Sequence, residues 1–249
     1  MRLNKFISAS GYCSRRQADE LIKGGKVEVN GQPADLGSQV TENDRVKVEG
    51  RYLCRQERMV LACYKPTGII CTTAEQEQPN VMQYFGFSKG LYPVGRLDKD
   101  SEGLLLMTND GDLMNYILKA RHFHEKEYIV EVDSPITAEF IQRMEDGVEI
   151  LDTVTRPCRV KKMGKRRFSI ILTQGLNRQI RRMCEALGYR VTRLKRIRIM
   201  NITLDLPTGG WRELTAAEIR GLQGETDERS SQNSGIDNKI KSGSPRLLY

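Results

Sequence analysis

No stretch of this 249-residue chain is apolar enough to cross a bilayer as a helix. The longest apolar run, Met59 to Tyr64, has six residues, against the roughly twenty that a spanning helix needs. The opening residues, Met1-Arg2-Leu3-Asn4-Lys5-Phe6, carry no apolar core of a secretory signal. A cytoplasmic protein with no membrane partner is therefore expected. The six cysteines, Cys13, Cys54, Cys63, Cys71, Cys158 and Cys184, form no CxxC pair. That argues against a metal centre, and they are expected to be reduced thiols acting as small hydrophobes. His122 and His124 have no Cys or Asp partner pattern and are expected to take no part in catalysis or metal binding. No internal repeat recurs, and strands and helices mix without a regular βαβ alternation, so the expected fold class is α+β.

Acidic residues are scarce where basic ones are dense. The net charge is +8, and between Arg156 and Arg198 there are fifteen Lys or Arg against one acid, Glu185. Residues 1–50 carry eight basic and seven acidic residues. So local an excess marks a surface that attracts a polyanion, and nucleic acid is the expected partner. Lys161-Lys162 and Lys165-Arg166-Arg167 flank Gly164 and read as an exposed basic hairpin tip, with Lys162 a candidate phosphate contact.

The first fifty residues read as one unit. Ser14-Arg15-Arg16-Gln17 has the spacing of a capping box. Ala18, Leu21 and Ile22 follow at helical spacing, and Gly24-Gly25 ends the helix. Val27-Glu28-Val29 alternates as a half-buried strand, Asn30-Gly31 supplies a tight hairpin turn, and Arg45 to Glu49 alternates again. Residues 51–58 read as a polar linker. A larger unit runs from 59 to about 223, with strands at Tyr128 to Val132 and Phe168 to Leu172. Its helical patterns lie at Leu113 to Leu118, Ala138 to Met144 and Arg178 to Leu187. Residues 224–249 are polar and aperiodic, and a disordered tail is expected.

Gly95-Arg96-Leu97-Asp98 places a carboxylate between the apolar-flanked strand Leu91 to Val94 and the strand Gly103 to Met107. Asp98, Asp100, Glu102 and Gly103 share the opening of a calcium loop, but its twelfth position is Asn109, where a bidentate glutamate is needed. Asp112 is expected to cap the helix that follows. A nucleophilic carboxylate must be ionised, and where burial opposes that, a nearby cation has to offset it. On the 178–187 helix Ile180, Met183, Cys184 and Leu187 form the buried stripe. Arg178, Arg181 and Arg182 fall on another face. Spacing alone does not choose among them.

These motifs resemble those of the pseudouridine synthases, which isomerise uridine in folded RNA. Gly95-Arg96-Leu97-Asp98 is similar to the motif carrying the nucleophilic aspartate. Gln179-Ile180-Arg181 is similar to the motif whose arginine pairs with it, and Lys126-Glu127-Tyr128 to the one whose tyrosine stacks on the target base. Lys65-Pro66-Thr67-Gly68 matches an early structural motif. Residues 1–50 resemble the S4 domain, an RNA-binding module, on Arg2-Leu3-Asn4-Lys5, Ser14 to Ala18 and Val27 to Gly31. The resemblance implies an S4 domain followed by a mixed, largely antiparallel sheet with flanking helices. It implies Asp98 as nucleophile, Arg181 as its ion-pair partner and Tyr128 as the stacking residue. RNA contacts are then expected at Arg96, Arg15, Arg16, Arg178 and Arg182, together with Lys162. No cofactor is required, because the reaction gains and loses no atoms. The implied substrate is 23S rRNA, with a tRNA anticodon uridine as a second one, and a monomer is expected. Two alternatives remain at this level: a synthase for a different rRNA uridine, and a non-catalytic S4-type assembly factor in which Asp98 is structural.

Overall fold

The computed structural model describes residues 1–54, 56–87 and 90–224. All of the tail expected over 224–249, apart from Gly224, lies outside them. Among the described residues no helix is long and apolar enough to cross a membrane.

The N-terminal unit packs α1 (Leu3–Ala9) and α2 (Arg15–Lys23) on a four-stranded sheet. The Ser14 hydroxyl accepts from the Gln17 amide and the Gln17 side chain accepts from the Ser14 amide, so both halves of the capping box form. β1 (Val27–Val29) turns into β2 (Gln32–Pro33) at Asn30 and Gly31, with φ of 54° and 82°. β3 (Val46–Val48) pairs with β1, and β4 (Arg51–Tyr52) pairs with β3. The sheet thus extends two residues into the segment expected as a linker. Leu53 then packs on this unit's core of Leu3, Ile7, Ala18, Val27 and Val46. The reason is local: Gly50, at φ 84°, closes a turn after Glu49 and returns the chain along β3.

The larger unit begins with β5 (Val60–Lys65), α3 (Val81–Phe85), β6 (Tyr92–Pro93), β7 (Glu102–Thr108) and α4 (Gly111–Leu118). It continues with β8 (Lys126–Val132), α5 (Ala138–Asp146), β9 (Glu149–Ile150), β10 (Thr153–Val154), β11 (Arg159–Gly164) and β12 (Arg167–Leu172). α6 (Gln179–Ala186), β13 (Val191–Ile199), β14 (Ile202–Thr203), β15 (Trp211–Glu213) and α7 (Ala216–Leu222) complete it. The main sheet runs β11-β12-β8-β13-β7-β5-β15, with β14 on β13 and β6 on β7. All its pairings are antiparallel except β13 with β7. The architecture is α+β with a mixed, largely antiparallel sheet, as expected.

Strands β5 and β7 are buried throughout, because alternate side chains feed two cores. Val60, Ala62, Leu104 and Leu106 meet Leu113 and Ile117 of α4. Leu61, Cys63, Leu105 and Met107 meet Val81, Phe87 and Trp211 on the other side. A third core under β8 and β12 takes Phe140 and Met144 from α5 and Ile180, Met183 and Cys184 from α6. Asp110, rather than Asp112, caps α4: its carboxylate accepts from the amides of Asp112 and Leu113. Asp112 lies in the first helical turn and reaches Lys5 of α1 at 2.5 Å. With the contact between Ser8 and the Tyr92 hydroxyl at 3.1 Å, that pair ties the two units together.

Candidate active site

Asp98 lies in the loop just before β7, and this loop is held from several sides. Its own backbone closes a turn, the Ser101 amide donating to the Asp98 carbonyl. Leu97 is buried beneath it. The Gly68 amide donates to the Lys99 carbonyl at 2.7 Å, bringing the Lys65-Pro66-Thr67-Gly68 loop alongside. Lys65, fully buried, donates to the carbonyls of Pro66 and Ile69 and so shapes that second loop. Burial holds its ammonium down at about 8.

Two arginines at the start of α6 grip the Asp98 loop, and it is Arg178 rather than Arg181 that lies within ion-pair distance of Asp98. Arg178, the residue capping α6, has φ 50°, a left-handed backbone uncommon outside glycine. Its guanidinium makes a two-pronged contact with Asp100, at 3.2 and 3.1 Å, and lies 3.6 Å from the Asp98 carboxylate. Arg181 forms no ion pair with Asp98. It donates to the Asp100 carbonyl at 3.0 Å and the Ser101 hydroxyl at 3.2 Å, and lies 3.3 Å from the Asp100 carboxylate. The physical reason is depth. Arg181 sits one turn further along the helix, with its side chain 14% exposed, and meets the base of the loop. Arg178, at 42%, stands where the Asp98 carboxylate points. Burial pushes the Asp100 carboxyl up. The Arg178 hydrogen bonds and the two guanidinium charges outweigh it and hold Asp100 below the ordinary aspartate range.

Asp98, with a third of its side chain exposed, lines a cleft of about 270 Å³. Arg96 and Lys119 stand exposed at its rim, and Leu97, Ile180 and Leu194 supply apolar wall. Tyr128 enters the cleft from β8. Side chains two apart on a strand share a face, so Lys126 and Tyr128 project together. Register sets Arg196 of β13 directly across from Tyr128. Lys126, Tyr128 and Arg196 all line the cleft. β13 lies so close to β7 that a Cβ on Gly103 would meet the Arg196 carbonyl oxygen at 2.2 Å.

Of the residues singled out from the sequence, the structure brings Asp98, Tyr128, Arg96 and Arg178 together at the cleft. Arg181 lies behind the loop. Arg182 does not line the cleft; its guanidinium bonds the Asn177 carbonyl. Arg15 and Arg16 are exposed on the first turn of α2, in the other unit. Lys162 sits near the tip of the β11–β12 hairpin, four rungs from the cleft residue Leu172, and bonds the Ile136 carbonyl at 2.6 Å. Sequence reasoning assigned no role to Asp100, Lys126 or Arg196. The strand alternation from Tyr128 pointed to Lys126, whereas Arg196 was one cation among fifteen.

A family model for RNA pseudouridylate synthase matches residues 59–186, and one for the S4 domain matches residues 1–46. The dual-specificity RNA pseudouridine synthase RluF of Salmonella typhi is 54% identical over 225 residues, spanning 89% of this chain and 78% of that protein. Its counterpart in Escherichia coli (strain K12) is 52% identical over 226 residues, with the same coverage. The ribosomal large subunit pseudouridine synthase B of Bacillus subtilis is 38% identical over 236 residues, covering 91% of this chain and 97% of that one. A crystal structure of a pseudouridylate synthase superposes with a TM-score of 0.65 at 29% identity, covering 89% of this chain and 99% of the other. With the Asp98 loop in the matched segment and relatives more than half identical over most of its length, the chain belongs to the RNA pseudouridine synthases and carries an S4 RNA-binding domain ahead of its catalytic domain.

Proposed function

We propose that this enzyme converts one uridine in the peptidyl-transferase region of 23S rRNA to pseudouridine, and also acts on a tRNA anticodon uridine. It would work as a cytoplasmic monomer, with residues 1–50 as the RNA-holding unit and 59–223 as the catalytic one. One observation carries the reading: a carboxylate, Asp98, lies in a cleft of about 270 Å³ with a guanidinium 3.6 Å away and an aromatic ring lining the same cleft. The names of the RluF relatives and of the B-type large-subunit relative support an RNA substrate of this class.

The target base must first leave its stack, at a cost of a few kcal/mol in a paired helix and less in a loop. Tyr128 recovers part of that cost by stacking on it. Asp98 attacks the nucleotide, the bond between N1 and C1′ breaks, the base turns, and C5 takes the sugar. Arg178 supplies the charge beside Asp98, while Arg181 fixes the loop through Asp100 and Ser101. Arg96 holds the displaced RNA strand at the rim. Arg15, Arg16, Arg182 and Lys162 bind phosphates further out.

The test is purified protein with unmodified 23S rRNA and with tRNA transcripts, followed by mapping of the product. A single new pseudouridine in the peptidyl-transferase region and one in an anticodon are expected. Modification confined to another rRNA uridine would overturn the substrate assignment. Asp98→Asn is expected to lower the rate by ~10³-fold or more with RNA affinity within about twofold of wild type. Turnover at the normal rate by that variant would sink the role given to Asp98.

A further inference from the structure

Lys126 and Arg196 are cations on the inner wall of the cleft that the route above leaves unused. Arg196 is 2% exposed, its Nε donates to the Leu104 carbonyl at 2.7 Å, and its Nη2 is buried without a hydrogen-bond partner among the described residues. Lys126 is half-buried and lies on the same strand face as Tyr128. Burial, and then the charge of Arg196, brings its ammonium down to about 8. Asp98 lines the same cleft, and among the described residues no carboxylate lies within ion-pair distance of either of them. Buried donors left unpaired are rare in folded proteins and call for a partner.

Resting on the pseudouridine synthase reading, we propose that Lys126 and Arg196 bind the extruded uracil by its carbonyl oxygens and stabilise the charge that develops on them. Three observations support a base rather than a phosphate. The cleft, at about 270 Å³, is at the small end of ligand pockets and sized for one base rather than a nucleotide chain. Arg196 faces Tyr128 across the sheet and Lys126 is its neighbour along the strand, so a ring stacked on Tyr128 presents its edge to both. The exposed cations Arg96, Lys119 and Arg178 already occupy the rim, where the RNA backbone must stay.

The chemistry gives the pair its purpose. When the bond between N1 and C1′ breaks, its electron pair goes to the base and spreads over N1, O2 and O4. If Asp98 adds to C6 instead, the displaced pair passes through C5 to O4. In either route the carbonyl oxygens gain negative charge, and fixed donors aimed there favour the transition state over the bound uridine. C5 then displaces the Asp98 oxygen from C1′, or, where Asp98 had added to C6, the Asp98–C6 bond breaks after the sugar has moved to C5. The C5 proton leaves and N1 takes one up, so Asp98 is released as a carboxylate and the balance is an isomerisation.

Single-turnover rates on transcripts bearing uridine, 2-thiouridine or 4-thiouridine at the target site test this, since sulfur is a weaker acceptor than oxygen. Wild-type protein is expected to lose at least tenfold in rate on one thio-substituted RNA. Lys126→Met is expected to lose at least fiftyfold on uridine RNA, with affinity changed less than threefold, and to lose most of its sensitivity to sulfur. Arg196→Gln is expected to behave similarly, because its Nε2 amide stands where the Arg196 Nε stood and can still donate to the Leu104 carbonyl while the Nη groups and the charge are gone. A wild-type enzyme indifferent to both sulfur positions overturns the proposal even if no variant folds. So does Lys126→Met at the wild-type rate, or a loss that appears wholly in affinity and reduces its salt dependence, which marks a phosphate contact. A wild type that forms no pseudouridine on any RNA fails the functional reading instead.

Discussion

Asp98 and Asp100 are two residues apart, yet they are held very differently. Asp100 is tied by Arg178 and Arg181, whereas among the described residues Asp98 has one ion-pair partner, Arg178, at 3.6 Å. Arg178→Ala is therefore expected to slow isomerisation by about 100-fold while the fold keeps its stability. Arg181→Ala leaves the Asp100 carbonyl and the Ser101 hydroxyl without their donor. It is expected to lower stability by about 1–3 kcal/mol and activity with it. Urea unfolding and single-turnover rates on both variants check the division; the opposite pattern would return the ion-pair role to Arg181. A second residue-scale outcome concerns pH. Burial pushes the Glu102 carboxyl up, but hydrogen bonds from Arg193 and Tyr64 and the charges of Arg193 and Lys195 outweigh it and hold it below the ordinary range. A depressed carboxylate adds stability above its unfolded value, about 4.3, and the gain disappears as pH falls through the folded value. Glu102→Gln is thus expected to unfold at lower temperature than wild type at pH 7, with the gap closing below about pH 4. Thermal midpoints measured across that range would show it.

At the scale of elements, the parallel contact of β13 with β7 joins the two halves of the main sheet. It depends on Gly103, whose φ is 110° and whose missing side chain leaves room for the Arg196 backbone. Gly103→Ala would drive a methyl group into the Arg196 carbonyl and is expected to cost about 3 kcal/mol. Because Arg196 moves with β13, the loss of activity should exceed the loss expected from the unfolded fraction alone. Equilibrium unfolding combined with rates corrected for folded protein separates the two. The helix α6 contributes differently: its apolar stripe docks in the β8–β12 core while its first turn meets the Asp98 loop. Packing on one face thereby positions chemistry on the other.

For the whole molecule, two units meet through Lys5 with Asp112 and Ser8 with Tyr92, and both carry exposed basic residues. RNA binding should weaken steeply with salt, by about 0.7 in log K per log salt for each phosphate neutralised on single strands. Replacing Arg15 and Arg16 together with Gln is expected to reduce that slope by about 1 to 1.5 and to raise KM with little change in kcat. Titrations at several salt concentrations check it. An unchanged slope would remove α2 from the RNA-binding surface.

The sequence by itself determined what depends on near neighbours. Ser14 with Gln17, Asn30-Gly31, the Asp98 loop ahead of its apolar strand and the stripe on α6 are all short-range patterns, and each formed where it was expected. Gly50 and the return strand at Arg51–Tyr52 were missed, because a two-residue strand has too little alternation to announce itself. Helical spacing showed that Arg178, Arg181 and Arg182 share a face but not how far each stands from a loop eighty residues away. Only the seating of α6 and the positive φ at Arg178 decided which one meets Asp98. Likewise, Arg196 comes opposite Tyr128 through the register of β13 on β8, a pairing between distant segments. Local chemistry selects elements, whereas the partners of a side chain are set by how those elements pack.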